Sequence, residues 1–140
     1  MSDKQYWILK TEPDVYAFTD LQEDGVTMWD GVANNAALKN IRTMKPGDLA
    51  MIYHTGNERR IVGLAEVVSE PYPDPDEDDP KLVVVDIKVL EPLANLVSLA
   101  AIKADPSFAD FALVRQSRLS VVSVPSDLWD TLLRMGGAPT

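Results

Sequence analysis

The apolar pattern of the chain predicts an α+β fold. It reads as five or six short strands around a small, barrel-like sheet, with four or five short helices set among them. Three observations lead there. Residues 82–90 alternate, with Val83, Val85, Ile87 and Val89 on one face and Asp86 and Lys88 on the other. The apolar runs 49–53 and 61–68 flank Gly56-Asn57, a hairpin-type connection. Segments of helical period fall between and after these strands without the regular strand–helix alternation of a parallel βαβ sheet.

In chain order, residues 6–10 form a first strand that stops at Thr11-Glu12-Pro13, because proline cannot continue the pairing. Thr19-Asp20-Leu21-Gln22 has capping-box spacing and Gly25 can end the turn it starts. Residues 34–44 read as a helix: Ala37, Ile41 and Met44 recur at i, i+4, i+7, Asn34 or Asn35 caps the start, and Pro46-Gly47 ends it. Residues 98–104 and 106–113 read as two short helices, the second opened by Asp105 as cap and Pro106 at the first helical position. Residues 120–124 are a last strand. Pro125-Ser126 then opens a helix with Trp129, Leu132 and Leu133 on one face and Gly136-Gly137 at its end.

A chain of 140 residues is the size of a single domain, 1–140, with room for a core that needs no metal or disulfide. There is no cysteine and only one histidine, His54. Disulfides, a thiolate nucleophile, Cys-ligated zinc and a His-pair zinc site are therefore excluded, and no cofactor is expected. No signal pattern and no apolar run of membrane-spanning length occurs, so the expectation is a cytoplasmic protein with no membrane partner. The net charge is −9, which opposes a broad basic face for nucleic acid. More than half of it lies in Asp74, Asp76, Glu77, Asp78 and Asp79, inside the Pro-rich stretch 71–80. That stretch reads as a solvated loop between two strands, and the remainder of the surface is free to be locally basic.

No phosphate-binding glycine loop, G-x-S-x-G element or favoured carboxylate pair occurs. What does stand out is aromatic and polar residues at element ends. Trp7 alternates with Ile8 and belongs to the core. Trp29 sits in what reads as a loop, beside Asp30 and Gly31, where a large aromatic is either a plug on the core or a stacking platform.

Trp7-Ile8-Leu9-Lys10-Thr11-Glu12-Pro13, then Trp29-Asp30-Gly31-Val32 with Asn34, resemble the EVE domain family. Met44-Lys45-Pro46-Gly47-Asp48, Tyr53-His54-Thr55, Gly63-Leu64-Ala65-Glu66-Val67-Val68 and Tyr72-Pro73-Asp74 continue the likeness. Gln116-Ser117-Arg118-Leu119-Ser120-Val121 and Trp129 before Met135-Gly136 complete it, all in the family's order. The resemblance implies a PUA-like distorted β-barrel with helices at the rim. It also implies kinship with YTH and SRA-like modules, which take a modified base into a pocket. Against the YTH pattern, Lys10-Thr11-Glu12 falls on a base-contacting stretch, Trp29-Asp30 on a cage pair, and His54 on a small polar residue of the following strand. The ligand so implied is 5-methyl- or 5-hydroxymethylcytosine in DNA, flipped or single-stranded. Effector proteins of a defence or nucleic-acid-processing system are the implied partners. The chain departs from the family pattern at Ala33, where Arg is frequent, and at Asn35, where an aromatic follows. If that Arg meets phosphate, a contact is missing here.

The nucleic-acid-binding residues expected on these grounds are Lys10, Thr11, Glu12, Trp29, Asp30, Asn34, His54, Ser117 and Arg118. Trp29 supplies a stacking face, Glu12 and Asp30 accept from the cytosine amino group, and Thr11 and Asn34 both donate and accept. Lys10, Arg42, Arg115 and Arg118 are candidates for phosphate at the pocket mouth. Two rival readings are a reader of modified or structured RNA, and an enzyme on a nucleotide-like small molecule with Glu12 or Asp30 as general base.

Overall fold

The computed structural model describes residues 4–137. Its strands are β1 (Tyr6–Thr11), β2 (Val26–Trp29), β3 (Leu49–His54), β4 (Arg60–Val67), β5 (Tyr72–Pro73), β6 (Val83–Ser98) and β7 (Val121–Val124). Its helices are α1 (Phe18–Asp24), α2 (Asn35–Thr43), α3 (Leu99–Ala104), α4 (Ala112–Arg115) and α5 (Ser126–Met135), with a 3₁₀ turn at Pro106–Phe108. The strands join in the order β2-β6-β4-β3-β1-β7, with β5 paired to β6. The β1–β3 pair is parallel and the other pairs are antiparallel. This is the expected α+β architecture, a curved open sheet.

Burial follows from this order. β1 lies inside the sheet between β3 and β7, so Trp7, Ile8 and Leu9 are all buried rather than alternating. Trp7 turns its Nε1–H to Asp48 Oδ2 at 3.1 Å. The buried Asp48 carboxylate also accepts from the backbone N–H groups of Gln5 and Lys45 and from the Gln5 amide, which satisfies an acid that would otherwise be costly inside a protein. Curvature comes from β4 and β6, whose register shifts on both sides of Gly63, opposite Pro92. Helix α2 packs against both β6 and β7, and Asn40 donates to the Val121 carbonyl on β7 at 2.7 Å.

Several elements differ from the expectation. Among the described residues the sheet has seven strands. Trp29 ends a strand, β2, and is not in a loop; its segment is short and carries Gly25 and Gly31 at its flanks, which conceals the pairing with β6. β6 runs on past Leu90 to Ser98, because the bulge around Pro92 lets a strand continue through a residue that cannot donate. Helix α1 is capped at Ala17, two residues before Thr19, with the Asp20 carboxylate accepting from the Ala17 N–H at 2.7 Å. The expected helix 106–113 splits into the 3₁₀ turn and α4; Asp105 does cap its start, accepting from Ser107 N. The acidic stretch connects two strands as expected, but it opens with the two-residue β5, and Asp74 is buried and accepts from Asp76 N. Among the described residues no helix is long and apolar enough to cross a membrane.

Candidate functional site

Where β1 and β2 end, they leave a cleft of about 630 Å³. Its lining comes from the end of β1 (Lys10, Thr11, Glu12), the following turn (Val15, Tyr16) and β2 with its exit (Thr27 to Gly31). That turn is made by the Glu12 carbonyl, which accepts from both Val15 N and Tyr16 N at 2.9 Å. Thr11 Oγ1 donates to the Tyr16 carbonyl at 2.7 Å and closes the same loop from the other side.

Two aromatic rings meet at right angles in the wall. Trp29 and Tyr16 have centroids 6.2 Å apart and an interplanar angle of 81°. Trp29 is only 6% exposed, so most of its ring belongs to the core and a limited part meets the cleft. Tyr16 is half-buried and is steadied by its hydroxyl, which donates to Asp24 Oδ2 at 2.7 Å. Burial pushes the Tyr16 phenol above its ordinary pKa, with the Asp24 charge adding to the rise, so the ring stays neutral through the physiological range. Tyr16 was not among the sequence-based candidates; an aromatic three residues after Lys10-Thr11-Glu12-Pro13 is the signal that would have found it.

In the same lining, Glu12 and Asp30 are exposed and their carboxylates have no hydrogen-bonding partner among the described residues. They are acceptors still available to a ligand. Lys10 is already engaged: its Nζ donates to the Ser117 carbonyl at 3.0 Å and stands 5.8 Å above the Tyr53 ring. Burial lowers its pKa from the usual lysine value.

The cleft thus gathers Lys10, Thr11, Glu12, Trp29 and Asp30 from the expected set. The other four do not line it. Asn34 caps α2, accepting from Ala37 N at 3.1 Å. His54 is buried behind the wall. Its Nε2 accepts from Phe18 N at 3.0 Å, so its proton is on Nδ1, facing Glu58 Oε1 at 2.9 Å. Ser117 contributes through the carbonyl that Lys10 reaches, and Arg118 is exposed outside the lining. Arg42 is turned to the acidic loop, donating to the Lys81 carbonyl at 2.8 Å. Among the described residues, no group of His, Asp and Glu side chains is arranged to hold a metal.

An open mixed sheet with short helices at its rim and a cleft beside its first strand is the PUA-like class. The same fold is seen in an ASCH protein from Zymomonas mobilis, at 11% identity, a TM-score of 0.62 and coverage of 95% of this chain and 96% of that one. Residues 5–135 match the EVE domain, and the chain belongs to that family. A Rhodopseudomonas palustris protein solved by NMR shares 42% identity at a TM-score of 0.90, covering 95% of this chain and 93% of its own. Human THYN1, solved in complex with 5-methylcytosine-containing DNA, shares 27% identity at a TM-score of 0.88 over 98% of this chain and all of that one (100%). Rat thymocyte nuclear protein 1 is 29% identical over 93% of this chain and 73% of its own length.

Proposed function

We propose that this protein is a non-enzymatic reader of a modified base, a 5-substituted cytosine in DNA, taken into the cleft as a flipped or single-stranded nucleotide. The observation that carries the reading is that one cleft is lined both by the right-angled Tyr16–Trp29 pair and by two unpartnered carboxylates, Glu12 and Asp30. A flipped cytosine asks for that combination: an aromatic surface for its ring and 5-substituent, and an acceptor for its exocyclic amino group. The cleft volume lies within the ~300–1,000 Å³ typical of small-ligand sites. The human relative solved with 5-methylcytosine-containing DNA supports the same ligand class.

The test is a binding panel of short DNA and RNA strands bearing cytosine, 5-methylcytosine or 5-hydroxymethylcytosine, at stated low salt, with recovery of the bound strand. A reader prefers a modified DNA strand and returns it unchanged. Preference for RNA, or an altered base in the recovered strand, overturns the reading in favour of one of its rivals.

A further inference from the structure

Arg59 stands in the turn between β3 and β4 with φ at 46°, the one positive φ outside glycine among the described residues. Gly56, in the same turn, is left-handed too, at 74°. That conformation sets Cβ against the backbone and suits glycine or asparagine, not arginine. The fold nevertheless holds Arg59 there: its carbonyl accepts from Leu99 N at 2.8 Å and its Nε donates to the Gly56 carbonyl at 3.3 Å. Its terminal guanidinium nitrogens are exposed and have no partner among the described residues. The neighbouring Arg60 differs, with its Nε 3.4 Å from Glu58.

The turn is stitched to the cleft. Thr55 donates both its N–H, at 2.9 Å, and its Oγ1, at 3.3 Å, to the carbonyl of the wall residue Thr11. Lys10, another residue of the cleft wall, lies over Tyr53 and donates to the Ser117 carbonyl. The Arg59 charge is felt at Tyr53, where it pulls the phenol's pKa down against the larger upward push of burial. A backbone outlier held by several bonds and carrying a free charge beside a cleft is the kind of local strain that accompanies a functional contact.

We propose that Arg59 forms a cationic point on the rim that grips the phosphodiester backbone beside the bound nucleotide. The proposal rests on the reader function above. It gives this acidic chain a phosphate contact outside the cleft lining.

The test compares wild type with Arg59→Gly, which relieves the backbone and removes the charge, and with Arg59→Lys, which keeps the charge. Anisotropy titrations use single strands with and without 5-methylcytosine across a salt series, with thermal melting in parallel. In Arg59→Gly the melting temperature should hold, both strands should weaken by the same factor, and the slope of log K against log[salt] should become shallower by about 0.7, one phosphate contact. Arg59→Lys should restore most of that slope. If wild type prefers the modified strand but Arg59→Gly leaves affinity and slope unchanged, the rim is wrong and the reader stands. If the slope falls as expected but wild type shows no preference for the modified strand, the rim stands and the reader is wrong. Loss of selectivity with an unchanged slope overturns the rim by moving Arg59 into the pocket.

Discussion

Trp29 is 6% exposed, and that figure decides what it can give a bound base. A ring so far inside the core offers the cleft only part of its surface, while the half-buried Tyr16 offers more of its own. The two aromatics should therefore respond differently to truncation. Trp29→Ala is a core deletion and should cost about 3–5 kcal/mol of folding stability. Tyr16→Ala should cost much less stability and should reduce binding of the modified strand by roughly 1–3 kcal/mol, the usual worth of a base–aromatic stack. Chemical denaturation and oligonucleotide titration on the same two variants check this. The reverse pattern would make Tyr16 the structural residue and Trp29 the binding one. Both Trp7 and Trp29 stand out in the sequence, but in different contexts. Alternation already set Trp7 in the core apart from Trp29; the structure adds the Trp7 partner, Asp48, and shows that Trp29 at the cleft is itself mostly buried.

At the scale of elements, the sequence was most legible where one periodicity ran uninterrupted. The alternation at Val83–Val89 located the start of β6, and the i, i+4, i+7 pattern with an asparagine cap located α2. It was least legible where pairing depends on a distant partner. β2 has only four residues, and its strand character comes from hydrogen bonds to β6, more than fifty positions away. The site split the same way: Lys10, Thr11 and Glu12 share a strand end and arrived together, whereas His54 and Asn34 were spent on holding elements in place. His54 fixes the start of α1 from β3, and Phe18 continues that contact by lying on Gly63 of β4. A Cβ at position 63 would collide with the Phe18 ring. Gly63→Ala should thus cost about 1–3 kcal/mol as an overpacked core. It should also loosen the 12–17 turn, weakening modified-base binding without changing the salt slope. Hydrogen exchange at Val15 and Tyr16, whose amides bond to Glu12, reports that loosening directly. The β5–β6 pair has its own signature. Tyr72 donates to Asp86 Oδ1 at 2.6 Å, and this bond, with burial adding to it, pushes the phenol up to about 12. A raised folded-state pKa means the stabilisation is complete below the unfolded value of ~10 and is lost as pH climbs toward the folded one. Wild type should therefore exceed Tyr72→Phe in stability at pH 8, and the gap should close as the pH is raised from about 10 to about 12. Denaturation midpoints across that range test the sign.

For the molecule as a whole, a net charge of −9 opposes the polyanion that the proposed function requires it to hold. Much of that charge is concentrated in the β5–β6 connection, where Asp76, Glu77, Asp78 and Asp79 are all exposed. Their field opposes an approaching strand from outside the cleft lining, so its effect is set by screening: the Debye length is about 10 Å at 0.1 M salt and about 3 Å at 1 M. Neutralising those four as Asn or Gln, with the buried Asp74 left intact, should tighten binding at low salt. The gain should be the same for modified and unmodified strands, because a distant field carries no base information. It should shrink steadily with added salt, so that variant and wild-type affinities converge near 1 M while the selectivity ratio stays constant throughout. Stability should not fall, since the removed charges repel one another and Asn at position 79 keeps an acceptor for the Lys81 N–H that Asp79 Oδ1 holds at 2.9 Å. A change in the selectivity ratio would mean that this loop reaches the bound base, and the cleft would then have a wall contributed by the β5–β6 connection as well as by β1 and β2.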